Sequence, residues 1–255
     1  MSSYLDFIKL QSLETELLEI KTSSEKIGTY LKGLTGQNTN LDEHDWLLVR
    51  TNEFKDKYGD WERYFKCQYL LKHPEVCFLS GNEFPPINGK TLTDQVEEYF
   101  IALGGKVISP FFGKVTLDRK GADDSLAHGM GRLKAIAYAA VKDVIENGIL
   151  IHYDFNHKNR GYNSAVLAAP IMIGEERFVC EVAVTLTKDN CKFYLHEVTK
   201  QKKLLDAVFI TNLAHKPSAH LGVFAKILQN IISAKDLSIN CTLDENGEPI
   251  LATLP

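Results

Sequence analysis

Ser164-Ala-Val-Leu-Ala-Ala-Pro-Ile-Met-Ile-Gly-Glu-Glu-Arg-Phe-Val-Cys-Glu-Val-Ala-Val-Thr-Leu-Thr187 is the stretch that decides the fold class. Two apolar, β-branched runs, Ser164 to Ile173 and Arg177 to Thr187, are separated by Gly174 with Glu175 and Glu176, a hairpin-type break. A similar run, Ile149 to Asp154, precedes them. Another, Cys191 to Thr199, follows across Lys188-Asp189-Asn190. These read as four strands in meander order, paired antiparallel. Upstream, Asp124 to Ile145 reads as one helix, with Ala135, Ala137, Ala139 and Ala140 supplying propensity and Asn147-Gly148 stopping it. Lys114 to Leu117 is a short strand candidate. The fold expected is α+β: a helix packed on a four-stranded antiparallel sheet, with an α-helical N-terminal region.

Working outward, Leu92 to Leu103 reads as a short helix closed by Gly104-Gly105, with Thr93 or Asp94 in its first turn. Pro74, Gly81 and Pro85-Pro86 break the helical pattern and suggest a boundary. Before it, Leu10, Leu13, Leu17, Ile20, Ile27, Leu31 and Leu34 recur at three- and four-residue steps, with Ser24 in the polar gap. This seam is expected to be buried, within the chain or across a dimer. Gly33 and Gly36-Gln-Asn-Thr-Asn40 end that helix. A second helix follows from Asp42 and a third around Asp60 to Leu71, with Trp46, Trp61, Tyr64 and Phe65 as packing residues. Near the C-terminus, Ser218 to Ala234 reads as helix and Asn246-Gly247 as a turn. The expected parts are therefore residues 1–84, 85–205 and 206–255.

Composition bounds the function classes. At 255 residues, 44% hydrophobic and 24% charged, the chain suits a globular protein rather than a disordered one. No apolar run approaches the roughly 18 residues of a membrane span, and no signal peptide is evident after Met1. The five cysteines, Cys67, Cys77, Cys180, Cys191 and Cys241, form no close pair. A cytoplasmic, reducing setting is expected. Residues 1–60 hold seven Lys/Arg and eleven Asp/Glu, which accounts for the whole net charge of −4. The rest is neutral, which excludes bulk coating of nucleic acid but leaves room for a local basic site.

No phosphate-binding P-loop, HExxH, CxxC or dinucleotide fingerprint is present, and no His/Cys/Asp cluster has metal-ligand spacing. No metal or cofactor is expected. His128-Gly-Met-Gly131 does not follow a strand as a phosphate loop should. On the expected helix, Ser125, His128 and Arg132 share one face near its N-terminus, which suits a phosphate. Lys134 lies on another face. His157-Lys158-Asn159-Arg160-Gly161-Tyr162 is a basic loop. On the last strand sits His196, with Glu197 expected on the opposite face.

This set contains what metal-free RNA cleavage needs. A base takes the 2′-OH proton, an acid protonates the leaving 5′-oxygen, and a cation holds the phosphoryl charge. His128 and His196 are candidates for base and acid, in either order. Arg160, with Lys134 or Arg132, is the candidate phosphate holder, and Tyr162 can stack on a base or donate a hydrogen bond. Ser125, Arg132 and Lys158 are candidate RNA contacts. Ser125 fits a helix cap equally well, and Arg160-Gly161-Tyr162 fits a turn with a solvated arginine.

Blocks across the middle of the chain resemble a known family. They are Asp118-Arg-Lys-Gly121, Asp124-Ser-Leu-Ala-His-Gly129, Ala135 to Asn147-Gly148, Arg160-Gly-Tyr162, Ala168-Ala-Pro-Ile171 and Phe193-Tyr-Leu-His-Glu-Val198. Together with Leu92 to Gly105, they resemble the BECR-type domains (barnase, EndoU, colicin D and RelE-like) of polyvalent proteins of phages and conjugative elements. The resemblance implies an RNase-like helix on a four-stranded antiparallel sheet and metal-independent RNase activity. It also implies a role in conflict between mobile elements and hosts. Its motif residues fall on His128, Lys134, Arg160, Tyr162 and His196. Family members often carry a Trp within the basic loop, where this chain has Phe155 and His157 flanking the place.

The leading expectation is thus a metal-independent endoribonuclease, a toxin or mobile-element effector with RNA as substrate. The alternative is a catalytically inactive interaction module of phage or mobile-element origin, using residues 1–34 to bind an immunity or other partner protein. A weaker third is a nucleotidyl- or ADP-ribosyl-type transferase or its fusion partner. Convergence of His128, Arg160 and His196 on one cleft would favour the first.

Overall fold

The computed structural model describes residues 2–39, 41–58, 61–126, 131–155, 157–187, 191–200, 241–243 and 249–251. The chain forms two compact units, Met1–Tyr69 with Thr211–Pro255, and Leu70–Ile210. No helix among the described residues is long and apolar enough to cross a membrane.

The first unit holds α1 (Ser2–Ile27), α2 (Glu43–Leu48), α3 (Asn52–Tyr58) and the start of α4 (Trp61–Lys72). Helix α1 stops at Ile27, before the expected Gly33. Gly28 turns left-handed at φ 81°, and the Thr29 and Gly28 N–H groups donate back to the Ser24 and Glu25 carbonyls. That pairing satisfies the last carbonyls of the helix, so the chain turns there. The seam is only partly covered: Leu13, Leu17, Ile20, Ile27 and Leu31 are half-buried and Leu34 is buried. The Leu10 side chain lies outside the described residues. Buried Ser24 tolerates its place because its hydroxyl donates to the Ile20 carbonyl at 2.6 Å.

Helix α2 starts where Asp42 accepts a hydrogen bond from the Asp45 N–H. It carries Trp46, which is buried under the Arg50 guanidinium and donates from Nε1 to the Lys32 carbonyl. The side chains of Trp61, Tyr64 and Phe65 lie outside the described residues. Residues 241–243 and 249–251 pair antiparallel. The expected helix from Ser218 to Ala234 and the turn at Asn246-Gly247 lie outside the described residues.

The second unit holds β1 (Cys77–Leu79), α5 (Leu92–Ala102), β2 (Lys106–Ser109), β3 (Gly113–Thr116), α6 (Arg119–Leu126), α7 (Arg132–Ala137), α8 (Val141–Asn147), β4 (Ile149–Asp154), β5 (Asn163–Ile173), β6 (Glu176–Leu186) and β7 (Cys191–Lys200). Their strands form one sheet in the order β1-β5-β6-β7-β3-β2, with β4 also on β5. Strand β1 lies parallel to β5 and β3 parallel to β7; the other pairs are antiparallel.

The expected four-stranded antiparallel sheet is therefore overturned. The four runs do form the strands β4 to β7, but they belong to a seven-stranded mixed sheet that curls into a half-barrel. One added strand, β3, is the short candidate expected at Lys114 to Leu117; β1 and β2, three and four residues long, are too short for an alternation to show in the sequence. The single expected helix is corrected as well. It is divided into α6, α7, a 3-10 turn at Tyr138–Ala140 and α8. Gly131 stands before α7 in an extended conformation, φ −82° and ψ 163°, so the alanine-rich propensity acts only downstream of it.

Packing follows from these elements. Thr91 and Asp94 cap α5 reciprocally, and α5 buries Val96 and Phe100, whose ring meets Phe193 of β7 edge-on at 5.2 Å. Helix α6 begins where Asp118 accepts the Gly121 N–H. It lies so close to β7 that a Cβ on Gly121 would stand 2.5 Å from the Phe193 ring and 2.7 Å from the Phe193 carbonyl oxygen.

Replacing Gly121 by Ala is expected to destabilise the protein by about 1–3 kcal/mol, because backbone cannot move aside as a side chain can. Urea unfolding measures it; an unchanged midpoint would contradict the close approach.

Candidate functional site

The loop after β4 is built by hydrogen bonds across its own base. The His157 N–H donates to the Tyr162 carbonyl at 2.7 Å and the Arg160 N–H to the His157 carbonyl at 3.1 Å. Between them Lys158, Asn159 and Gly161 take left-handed φ values of 50°, 56° and 75°. Two of these residues carry a Cβ, so the conformation is strained locally. His157 is held by its Nδ1, 2.6 Å from the Asp154 Oδ2. With Nδ1 donating to Asp154, Nε2 is the ring nitrogen left for a substrate. The His157 and Tyr162 rings lie 5.9 Å apart.

On the opposite wall, β7 carries a bulge. Glu181 of β6 pairs with Glu197 and Val182 with Leu195, so His196 is the extra residue. The bulge shifts the alternation, and Glu197 comes onto the cross-strand row of Glu181. Thr185 stands two steps of the alternation from Glu181, on the same face of β6. Beside the bulge, the Leu195 N–H donates to the Ser125 Oγ at 2.9 Å, and Ser125 itself donates to the Gly121 carbonyl at 2.6 Å.

These walls enclose a cleft of about 930 Å³. Its lining includes the cations Lys134, Lys158 and Arg160, the carboxylates Asp124 and Glu197, the rings of His157, Tyr162 and Tyr194, and the hydroxyl residues Ser164 and Thr185. Burial pulls the Lys134 ammonium below its ordinary value, and Glu197 opposes that pull. Burial, and then the neighbouring Glu197, push the Glu181 carboxyl up. Burial, with Tyr162 adding to it, does the same to the Tyr194 phenol.

Of the residues expected from sequence, Lys134, Lys158, Arg160 and Tyr162 meet in this cleft. Ser125 does not: it is fully buried and braces the bulge. Arg132 is exposed and donates to the Phe84 and Gly81 carbonyls, tying α7 to the segment before α5. The division of the helix separates Ser125 on α6 from Arg132 on α7, so the expected common face does not exist. His128 lies outside the described residues. The backbone of His196 forms the bulge, and its side chain lies outside the described residues.

Sequence reading passed over His157, Glu197 and Tyr194 as site residues. The spacing Asp154-x-x-His157 at the end of a strand was a usable signal for the first. The face of Glu197 was not legible, because a bulge has no mark in the sequence here. Among the described residues, the grouping of three His, Cys or carboxylate ligands within reach of one ion is Asp42, His44 and Asp45, in the other unit.

Residues 88–194 match the family model described as large polyvalent protein-associated domain 3. The match supports a polyvalent-protein-associated domain over that stretch, which takes in most of the cleft and stops short of Glu197. No curated protein and no solved structure matches the chain.

Because Glu197 holds the Lys134 ammonium up against burial, Glu197→Gln should lower the Lys134 pKa further. Side-chain NMR of the lysine Nζ across a pH titration reads this directly. A rise, or no change, would contradict the coupling.

Proposed function

We propose that the cleft binds RNA and cleaves it without a metal ion, by attack of a 2′-OH on the adjacent phosphorus. The observation that carries this reading is the gathering of Lys134, Lys158 and Arg160 with Glu197 and the Asp154-held His157 around one cleft. Glu197 accepts the 2′-OH proton as the 2′-oxygen bonds to phosphorus. His157, as the imidazolium with its Nδ1–H on Asp154, gives the proton on Nε2 to the 5′-oxygen as the P–O5′ bond breaks. The products are a 2′,3′-cyclic phosphate and a free 5′-OH. Arg160, with Lys134 and Lys158, holds the phosphoryl oxygens while charge builds on them.

The resemblance of the sequence blocks to BECR-type nucleases supports the same chemistry. The match to a polyvalent-protein-associated family suits a phage or mobile-element setting, and action there as a toxin or effector is part of the proposal. His128 and His196 remain candidates for proton transfer and belong in the same test.

A second reading takes the N-terminal helix as a docking element for a partner protein. Leu18 on α1 is 64% exposed, and the apolar seam beside it is only half-covered.

The test is cleavage of mixed RNA in EDTA, with end-group analysis. His157→Ala and Glu197→Gln should each slow cleavage by about 10²–10⁴-fold, and Arg160→Ala by about 10²–10³-fold. Activity lost to EDTA would reject the metal-free chemistry. Full activity in both His157→Ala and Glu197→Gln would reject the roles and return them to His128 and His196, whose alanine variants are assayed alongside. A folded protein that cleaves no RNA would favour the docking reading.

A further inference from the structure

Resting on the RNA reading of the cleft, we infer that Ser164 and Thr185 form a subsite for the ribose of the leaving nucleotide, bonded to its 2′-OH. Among the described residues, six that carry a hydroxyl are buried. In five the hydroxyl has a partner. Ser24, Thr51 and Ser125 donate to nearby carbonyls, Thr93 meets the Thr91 hydroxyl, and Ser109 accepts the Phe111 N–H. Ser164 is the sixth. It is 5% exposed, and its hydroxyl has no hydrogen-bond partner among the described residues. A buried hydroxyl is normally hydrogen-bonded. Ser164 lines the cleft, where a ligand atom can supply what the protein does not.

Thr185 stands directly across from Ser164 on β6 and lines the cleft with it. Its hydroxyl likewise has no partner among the described residues. Directly opposed residues share a face of the sheet, so the two hydroxyls are neighbours. Their place sets the direction of the substrate. On the other side of Ser164 stands Asp154, which holds His157, the group that protonates the leaving 5′-oxygen. Glu197, which takes the proton of the attacking 2′-OH, pairs with Glu181, two steps of the alternation from Thr185. The attacking ribose thus lies toward Glu197, and the leaving nucleoside toward Ser164 and Thr185. The chemistry of the pair selects a sugar hydroxyl. Each side-chain hydroxyl both donates and accepts, and so does a ribose 2′-OH. A phosphoryl oxygen only accepts, and Lys134, Lys158 and Arg160 already bring donors to the cleft for it.

The experiment uses a short RNA in which the bond cut by wild type has been mapped. It is made in three forms: all ribose, with deoxyribose at the leaving nucleotide, and with deoxyribose at the nucleotide preceding the attacking one. The cleavage rate at the mapped bond is read for wild type, Ser164→Ala, Thr185→Val, the double variant and Thr185→Ser, with thermal unfolding confirming that each is folded. Wild type should cut the leaving-side deoxy form more slowly than the all-ribose form, on the order of 10-fold. Each hydroxyl-lacking variant should lower that ratio, the double variant should bring it near one, and Thr185→Ser should keep it. A wild type indifferent to the leaving-side sugar, or a double variant that keeps the full preference, overturns the subsite. A ratio that changes only for the preceding sugar overturns its placement on the leaving side. In each of these results the bond is still cut and the RNA reading stands. No cleavage of the all-ribose form at any bond would instead sink the RNA reading, and the inference with it.

Discussion

Strand β5 sets the terms for the rest of the second unit. Nine of its eleven residues are buried, and a buried N–H or C=O left unpaired costs about as much as a lost hydrogen bond. One edge is satisfied by β6 along the whole length. The other is shared: β4 covers Ser164 to Ala168 and β1 covers Ile171 to Ile173. Pro170 falls in the gap between those two pairings. Its carbonyl accepts the Val76 N–H on that side, and in a strand the N–H and C=O of one residue point the same way. The missing proline N–H therefore faces the gap, and a proline sits in a central strand without breaking the ladder. Pairing with two segments so distant in sequence also makes the sheet mixed.

The same pairing positions the cleft. The β4–β5 ladder runs out at Asp154 opposite Ser164, so the loop between them starts and ends on adjacent strands. The second wall depends on Ser125. A buried hydroxyl must find partners, and this one meets the Gly121 carbonyl within its own helix and the Leu195 N–H beside the bulge. That bond fastens α6 to β7 at the point where the alternation shifts. Ser125 acts on Glu197 only through the bulge and has no route to a substrate, being fully buried.

What could be read in the sequence was whatever repeats over a long enough run. The strands β4 to β7 span six to eleven residues each, and their apolar runs and breakers showed them. Helix α5 was visible through its first-turn residues and its closing glycines, Gly104-Gly105. Strand β3 showed as the short candidate Lys114 to Leu117, but β1 and β2 exist because longer strands need neighbours, and their own three or four residues say little. The broken helix misled for a related reason: alanine propensity is a local preference, and Gly131 in its extended conformation sets where it can act. At the site, the basic loop was legible as a cluster of charge, whereas Glu197 and the true role of Ser125 depend on a bulge that only three-dimensional pairing reveals.

The loop joining β4 to β5 also explains why its cations can serve a cleft. Lys158 and Asn159 sit in left-handed backbone, at about 1–2 kcal/mol each for residues with a Cβ. A free loop would relax out of that conformation. Here the two strands anchor both ends, the His157 N–H and Tyr162 carbonyl close the base, and Asp154 holds the imidazole. The ladder's stability thus offsets the strain and gives a compact turn. That turn brings Lys158, Arg160 and Tyr162 to the same cleft as Lys134 on α7. Relaxing the turn would give up the bond from the His157 N–H to the Tyr162 carbonyl and would disperse the charges, so the strained turn and the cleft are kept together.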